Sequence, residues 1–301
     1  MRERSSLARL QQATTIVLLV ISISWLARQW ARSPALAIAG ALAIFFSYSF
    51  FLAIECVLVK FVSKNDPAPA PTWADLLRAW WAETWIALIV FFWRQPFRWK
   101  KQPDLLDPAM RGRRGVVLVH GFVCNRGLWN PWMEQLRAEG HPFIAVNLEP
   151  VFGSIDDYVD TIDNAVERIA QVTGLPPLLV GHSMGGLAAR AWLRRKHATD
   201  RVHRVITIGT PHGGTWLGHF SHTVNGRQMK LGSEWIRNLA DSQAHAKFTC
   251  WYSNCDNIVF PASKATLPGA DNRMVPGAAH VELAFVPRVF AHALDSLREQ
   301  G

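Results

Sequence analysis

The sequence predicts an α/β fold, a mostly parallel sheet flanked by helices, preceded by an N-terminal transmembrane helical region. Three observations predict it. From residue 116 onward, short runs of valine, isoleucine and leucine alternate with segments of helical periodicity, the pattern of strands joined by crossover helices. One of these runs breaks into Gly181-His182-Ser183-Met184-Gly185, which reads as a buried strand, a sharp turn and the start of a helix. The first third, by contrast, holds two long apolar stretches with almost no charge.

Residues 13–27 are apolar with only hydroxyls among them, and residues 35–59 carry one charge, Glu55, placed to reach the interface or to pair within the membrane. A hydrocarbon core of ~30 Å takes about 20 helical residues, so the second stretch spans it and the first is marginal. Arg2, Arg4 and Arg9 ahead of the first stretch would also suit a cleaved leader. No clean small-residue cleavage site follows, and the second stretch comes at once. A two-helix membrane hairpin over residues 1–65, turning at residues 28–34, is therefore expected.

Residues 66–113 are expected to link this hairpin to the next domain. A Pro/Ala segment leads into residues 73–93, where Asp75, Arg78 and Glu83 share one side of a helix and Leu76, Leu77, Trp80, Trp81 and Trp85 lie largely elsewhere. Charges this close make a spanning helix costly. An amphipathic helix in the interface fits better, its tryptophans at headgroup depth, with packing against the following domain as the alternative. Arg94, Arg98, Lys100, Lys101, Arg111, Arg113 and Arg114, against only Asp104 and Asp107, supply more than half of the formal net charge of +9. Such a cluster beside a membrane segment attracts anionic lipid. The basicity is local and no nucleic-acid motif accompanies it, so nucleic acid is not an expected partner. With two spans both chain ends share a side, and the lysine and arginine placement makes that side cytoplasmic. A third span through residues 73–93 would reverse this.

Residues 114–301 form the second domain, long enough to bury roughly 70% of its unfolded surface. The strand from Val116 ends in His120-Gly121, where a loop begins, and residues 141–148 read as the next strand. Ile155, Val159, Ile162, Val166, Ile169 and Val172 form an apolar stripe at helical spacing, with Asp156 and Asp157 favourably placed in its first turn. Residues 202–208 empty into Gly209-Thr210-Pro211-His212-Gly213-Gly214, too rich in turn formers to continue. Residues 247–253 give another strand, with Asp256 just past its carboxyl end. A short strand near Met274 leads to His280, and residues 287–298 close the chain as a helix. Residues 216–246 are short for a large lid and hold a modest flap at 231–236.

A serine in a sharp strand-to-helix turn needs residues without side chains two positions before and after it, and Gly181 and Gly185 stand there. The backbone N–H groups of Phe122, after His120-Gly121, and of Met184, after the serine, are placed to bind a developing oxyanion. Ser183, Asp256 and His280 occur in the order nucleophile, acid, base, each on a loop where a strand ends. With V-L-V-H-G-F, G-H-S-M-G-G, G-T-P-H-G-G and a late D-x-I-V-x-P followed by G-x-x-H, the region from about Arg114 onward resembles the bacterial triacylglycerol lipase and esterase branch of the α/β-hydrolases, with the leading strands of larger members reduced.

That resemblance implies that Ser183 is acylated, His280 relays its proton, Asp256 holds the imidazole tautomer, and Phe122 and Met184 donate to the oxyanion. With the apolar segments and the lysine and arginine placement, a bacterial inner-membrane location is expected, and the motifs suggest a hydrophobic ester or lipid as substrate. Asp241 and Asp271 compete for the acid role and His292 for the base; His120, His182 and His212 are expected to be structural. The sequence has no H-E-x-x-H and no Cys-x-x-Cys, so neither a metal nor an organic cofactor is expected. Of its four cysteines, Cys250 and Cys255 flank the acid loop and would bridge only in an oxidising compartment. Oligomeric state is left open. An acyltransferase on the same fold and a catalytically idle, membrane-bound interaction module are the competing functions.

Overall fold

The computed structural model describes residues 5–239 and 247–299. Six parallel strands, β1 (Val116–Val119), β2 (Phe143–Ala145), β3 (Leu178–His182), β4 (Arg204–Ile208), β5 (Phe248–Tyr252) and β6 (Asp271–Met274), lie in the order β2-β1-β3-β4-β5-β6. This is the expected α/β sheet flanked by helices. β1 and β3 are buried along their whole length, which explains their unbroken apolar runs, whereas edge strand β6 is polar and partly exposed. The strand expected over residues 141–148 is only three residues long, Phe143–Ala145.

Alternating residues of the strands feed two cores. Val117, Val119, Leu179 and Val205 pack under helices Val159–Thr173 and Met184–Lys196, and Val116, Leu118, Val180 and Ile206 under helices Asn130–Ala138 and Pro287–Arg298. Five of the six stripe residues, Ile155 through Ile169, are buried; Val172 is half-buried. Strand order reverses direction between β1 and β3, which opens a crevice at their carboxyl ends. The loops bearing Phe122 and Ser183 leave the sheet there.

Ahead of the sheet, α1 (Ser6–Trp30) and α2 (Pro34–Phe45) form a hairpin. Ser33 caps α2 and Pro34 opens it, the arrangement that starts a helix sharply. The helices approach closely at Gly40, where an added Cβ would lie 2.0 Å from Trp25 Nε1. The second stretch is not one straight span. It bends by 58° at Phe46 into α3 (Ser47–Val62). At the bend, Tyr48 Oη donates to Thr84 O at 2.9 Å, the hydroxyls of Ser49 and Thr84 lie 2.8 Å apart, and Trp80 Nε1 donates to Ser49 O. These bonds tie α3 to α4 (Trp73–Ile89), which runs on through a π-turn to Phe97.

Helices Ser6–Trp30 and Trp73–Phe97, 25 residues each, are long and apolar enough to cross a membrane, and the bent pair qualifies if counted as one span. α4 has two unlike faces. Leu77, Trp81, Trp85, Ile89 and Trp93, four residues apart, are exposed, while Leu76, Ala79, Glu83, Ala87 and Val90 are buried. Its charges are held by protein. Thr72 and Asp75 form a capping box, Arg78 binds Glu282 at 2.5 Å and Gly277 O at 2.7 Å, and Glu83 accepts from backbone beyond His280. Part of the basic stretch is likewise bound by protein: buried Arg114 donates to Pro176 O and Glu299 O, and exposed Arg113 to Glu139 O.

Candidate active site

Ser183 sits between β3 and the helix Met184–Lys196 at φ 54°, ψ −127°, a conformation that costs a non-glycine residue about 1–3 kcal/mol. Two hydrogen bonds hold it there. Ser183 N–H donates to Ile208 O and Thr210 Oγ1 donates to Ser183 O, both at 2.8 Å. The turn leaves no room on either side. A Cβ at Gly181 would lie 2.6 Å from Gly186 N, and one at Gly185 would lie 2.3 Å from Val119 O. Ser183 Oγ hydrogen-bonds to no other described residue, as is common for nucleophiles before substrate binds.

His280 Nδ1 lies 2.9 Å from both carboxylate oxygens of Asp256. Asp256 is itself fixed, because its Oδ1 accepts the N–H groups of Ile258 and Val259. All three residues, Ser183, Asp256 and His280, are buried at 5% exposure or less, which strengthens their mutual electrostatics. Asp256 and His280 border the residue that follows the Ser183 backbone acceptor: a Cβ at Gly209, after Ile208, would touch Asp256 Oδ2 and the His280 ring at 3.0–3.2 Å. Burial pulls the His280 pKa down, but the Asp256 charge and hydrogen bond outweigh it and leave the imidazole above its ordinary range. The N–H groups of Phe122 and Met184 are taken by no other described residue. The loop bearing Phe122 is shaped by Val123, at φ 52°, and by Gly121, where a Cβ would lie 2.7 Å from Ser183 Cβ.

Four other histidines, His120, His182, His212 and His292, have contacts of their own. His120 Nε2 accepts Leu148 N–H at 3.0 Å and its Nδ1 faces Gly121 O, and burial pushes its pKa down to about 4. His182 Nε2 lies 3.2 Å from His280 O, with burial holding it well below the usual range. His212 Nε2 meets Thr207 Oγ1 at 3.0 Å. His292 stands on a helix against Trp251, away from the serine loop. Asp271, on β6, pairs with Arg273 at 2.7 Å; Asp241 lies outside the described residues. Cys250 and Cys255 are both buried free thiols.

Sequence reasoning missed three residues around His280. Asn257 Oδ1 accepts His280 N–H at 3.2 Å, and Asn257 Nδ2 donates to Glu55 at 2.7 Å. Glu55 therefore reaches neither the interface nor a hairpin partner; the acid loop takes it. Glu83 accepts from Val281 and Glu282. The available signal was the lone carboxylate of α3, Glu55, and, in α4, Glu83 set among apolar residues.

Residues 115–244 match the model of the alpha/beta hydrolase fold family. Palmitoyl-protein thioesterase 3 of Dictyostelium discoideum is 30% identical over 107 residues, 34% of this chain and 37% of that protein. The (Lyso)-N-acylphosphatidylethanolamine lipase of Bos taurus is 28% identical over 147 residues, 45% of this chain and 40% of that protein. The chain thus spans well under half the length of these curated relatives. Among solved structures, the mature Bacillus licheniformis lipase BlEst2 superposes with a TM-score of 0.55 at 20% identity, covering 62% of this chain and 92% of that one.

Proposed function

We propose that this chain, which through residues 115–244 belongs to the alpha/beta hydrolases, is a membrane-anchored serine hydrolase of hydrophobic carboxylic esters. The observation that carries the proposal is a His280–Asp256 pair at 2.9 Å beside a serine on a strained turn. In the reaction, Ser183 Oγ attacks the ester carbonyl as His280 Nε2 takes its proton, and the resulting oxyanion binds the Phe122 and Met184 N–H groups. Collapse expels the alcohol, which receives the proton from His280. Water, deprotonated by the same imidazole, then cleaves the acyl-enzyme to release the acid and free Ser183. Neither a metal nor an organic cofactor enters this scheme.

The lipid-like substrate class is supported by relatives named as a lipase and a thioesterase and by the apolar helices themselves. Leu7 and Ala8 at the start of α1 are buried, and Ser6 binds Glu149 at 2.7 Å. At the other end of the hairpin, α3 reaches Asn257 through Glu55. Both ends of the hairpin return to the catalytic unit, the arrangement of a chain that enters and leaves a bilayer on one side. α1 spans about 37 Å at 1.5 Å per residue, enough for the ~30 Å core. α4 then lies along the interface, because crossing the bilayer would carry Glu83, and the His280 loop bonded to it, to mid-membrane depth. Lysine and arginine placement makes this face cytoplasmic. The test is hydrolysis of p-nitrophenyl esters of graded acyl length by the full chain in detergent. Turnover that rises with chain length and vanishes in Ser183→Ala supports the proposal; Ser183-independent turnover overturns it.

A further inference from the structure

We propose that Glu83, a carboxylate contributed by helix α4 from outside the catalytic sheet, is a positioning residue that sets the orientation of His280, with Glu55 acting through Asn257 as its second brace. The proposal rests on the triad reading above. Glu83 is 2% exposed, and its Oε1 and Oε2 accept the Val281 N–H at 2.9 and 3.1 Å while Oε2 also accepts the Glu282 N–H at 3.2 Å. These are the two backbone donors that directly follow the histidine. The N–H of His280 goes to Asn257 Oδ1, which Glu55 holds from its other end at 2.7 Å, and the His280 carbonyl faces His182 Nε2. Every main-chain polar group around the imidazole is thereby fixed, leaving its Nδ1 on Asp256.

A merely space-filling role does not account for this arrangement. Burying a carboxylate is costly unless it is paired or hydrogen-bonded, and a leucine would fill the face of an apolar helix without that cost. Here the carboxylate of each helix is aimed at the two loops that carry the acid and the base. Arg78, five residues before Glu83, grips the same segment at Gly277 O and Glu282, so α4 clamps residues 277–282 at several points. The anchoring region and the catalytic machinery then form one unit, and the anchor is more than a tether.

The test uses the full chain in detergent and reads the second-order rate of fluorophosphonate labelling of Ser183 against pH, with kcat and KM for a p-nitrophenyl ester and a melting temperature. Misplacing a catalytic group by about 1 Å costs on the order of 100-fold. Glu83→Ala is expected to slow labelling and kcat by at least tenfold with KM within about twofold. Glu83→Gln keeps an acceptor oxygen and is expected to recover part of the rate. The groups facing His280 are Asp256, Glu83, Glu55 and the His182 ring; burial pushes the Glu83 pKa up to about 7, so over the pH range where that carboxylate is ionised its loss in Glu83→Gln moves the acid limb to lower pH. Wild-type rates and an unshifted limb in folded Glu83→Gln overturn the inference, and this variant decides the matter alone if Glu83→Ala does not fold. Wild-type protein that takes no label at Ser183 instead overturns the triad reading, and the inference with it.

Discussion

Asp256 keeps its orientation without help from substrate, since two backbone N–H groups hold Oδ1 while both oxygens face His280 Nδ1. An amide at this position would present a donor to the imidazole and favour the wrong tautomer. Asp256→Asn is therefore expected to lower kcat by on the order of 10⁴ with the fold intact, checked by ester turnover and circular dichroism. The pH dependence has a definite sign. His280 acts as a base only when neutral, and its pKa is raised, so activity rises with pH through a limb lying above the ordinary histidine range. The same pairing stabilises the fold fully below the unfolded histidine value of about 6.5, and that contribution fades as pH climbs past the raised folded value. The roles of Ser183, Asp256 and His280 stand as the proposal, but their positions, each in the segment after a strand, were legible in sequence. Glu83 and Asn257 were not, because their roles arise from contacts between segments about 200 and about 20 residues apart, which no local spacing encodes.

At the scale of elements, the serine turn depends on two close approaches of backbone to backbone. Gly185→Ala would drive a methyl onto Val119 O and His120 O, neither of which can move without disturbing β1. It is expected to destabilise the chain by about 1–3 kcal/mol or more, read as a lowered midpoint in chemical denaturation with activity lost. The central strands β1 and β3 were readable because a buried parallel strand is apolar throughout, and the stripe of helix Val159–Thr173 because its period is 3.6. The bend at Phe46 was hidden. Apolar composition signals burial in lipid or protein but not direction, and here the direction is set by hydrogen bonds from Tyr48 and Ser49 to Thr84. The partners of the α4 charges were hidden for the same reason: buried Glu83 and exposed Arg78 both bind the segment after residue 276.

For the whole molecule, the exposed apolar surface decides how it meets a membrane. Ile16, Val17, Val20 and Ile23 of α1, with Phe50, Phe51 and Phe61 of α3, are each more than half exposed, apolar surface of the kind that marks a membrane or protein contact. The chain is expected to float with vesicles of neutral lipid and to stay bound in 1 M salt, because only charge-held proteins are released by screening. Release by salt would mean that the basic stretch, and not the helices, holds the protein. The central claim is that a base-activated Ser183 operates inside this membrane-bound unit, and labelling of the full chain by a fluorophosphonate probe tests it most directly. Rapid labelling mapped to Ser183 by mass spectrometry, abolished in Ser183→Ala and strongly slowed in His280→Ala, is the predicted result. Folded wild-type protein that takes no label, or labels equally after either substitution, would contradict it.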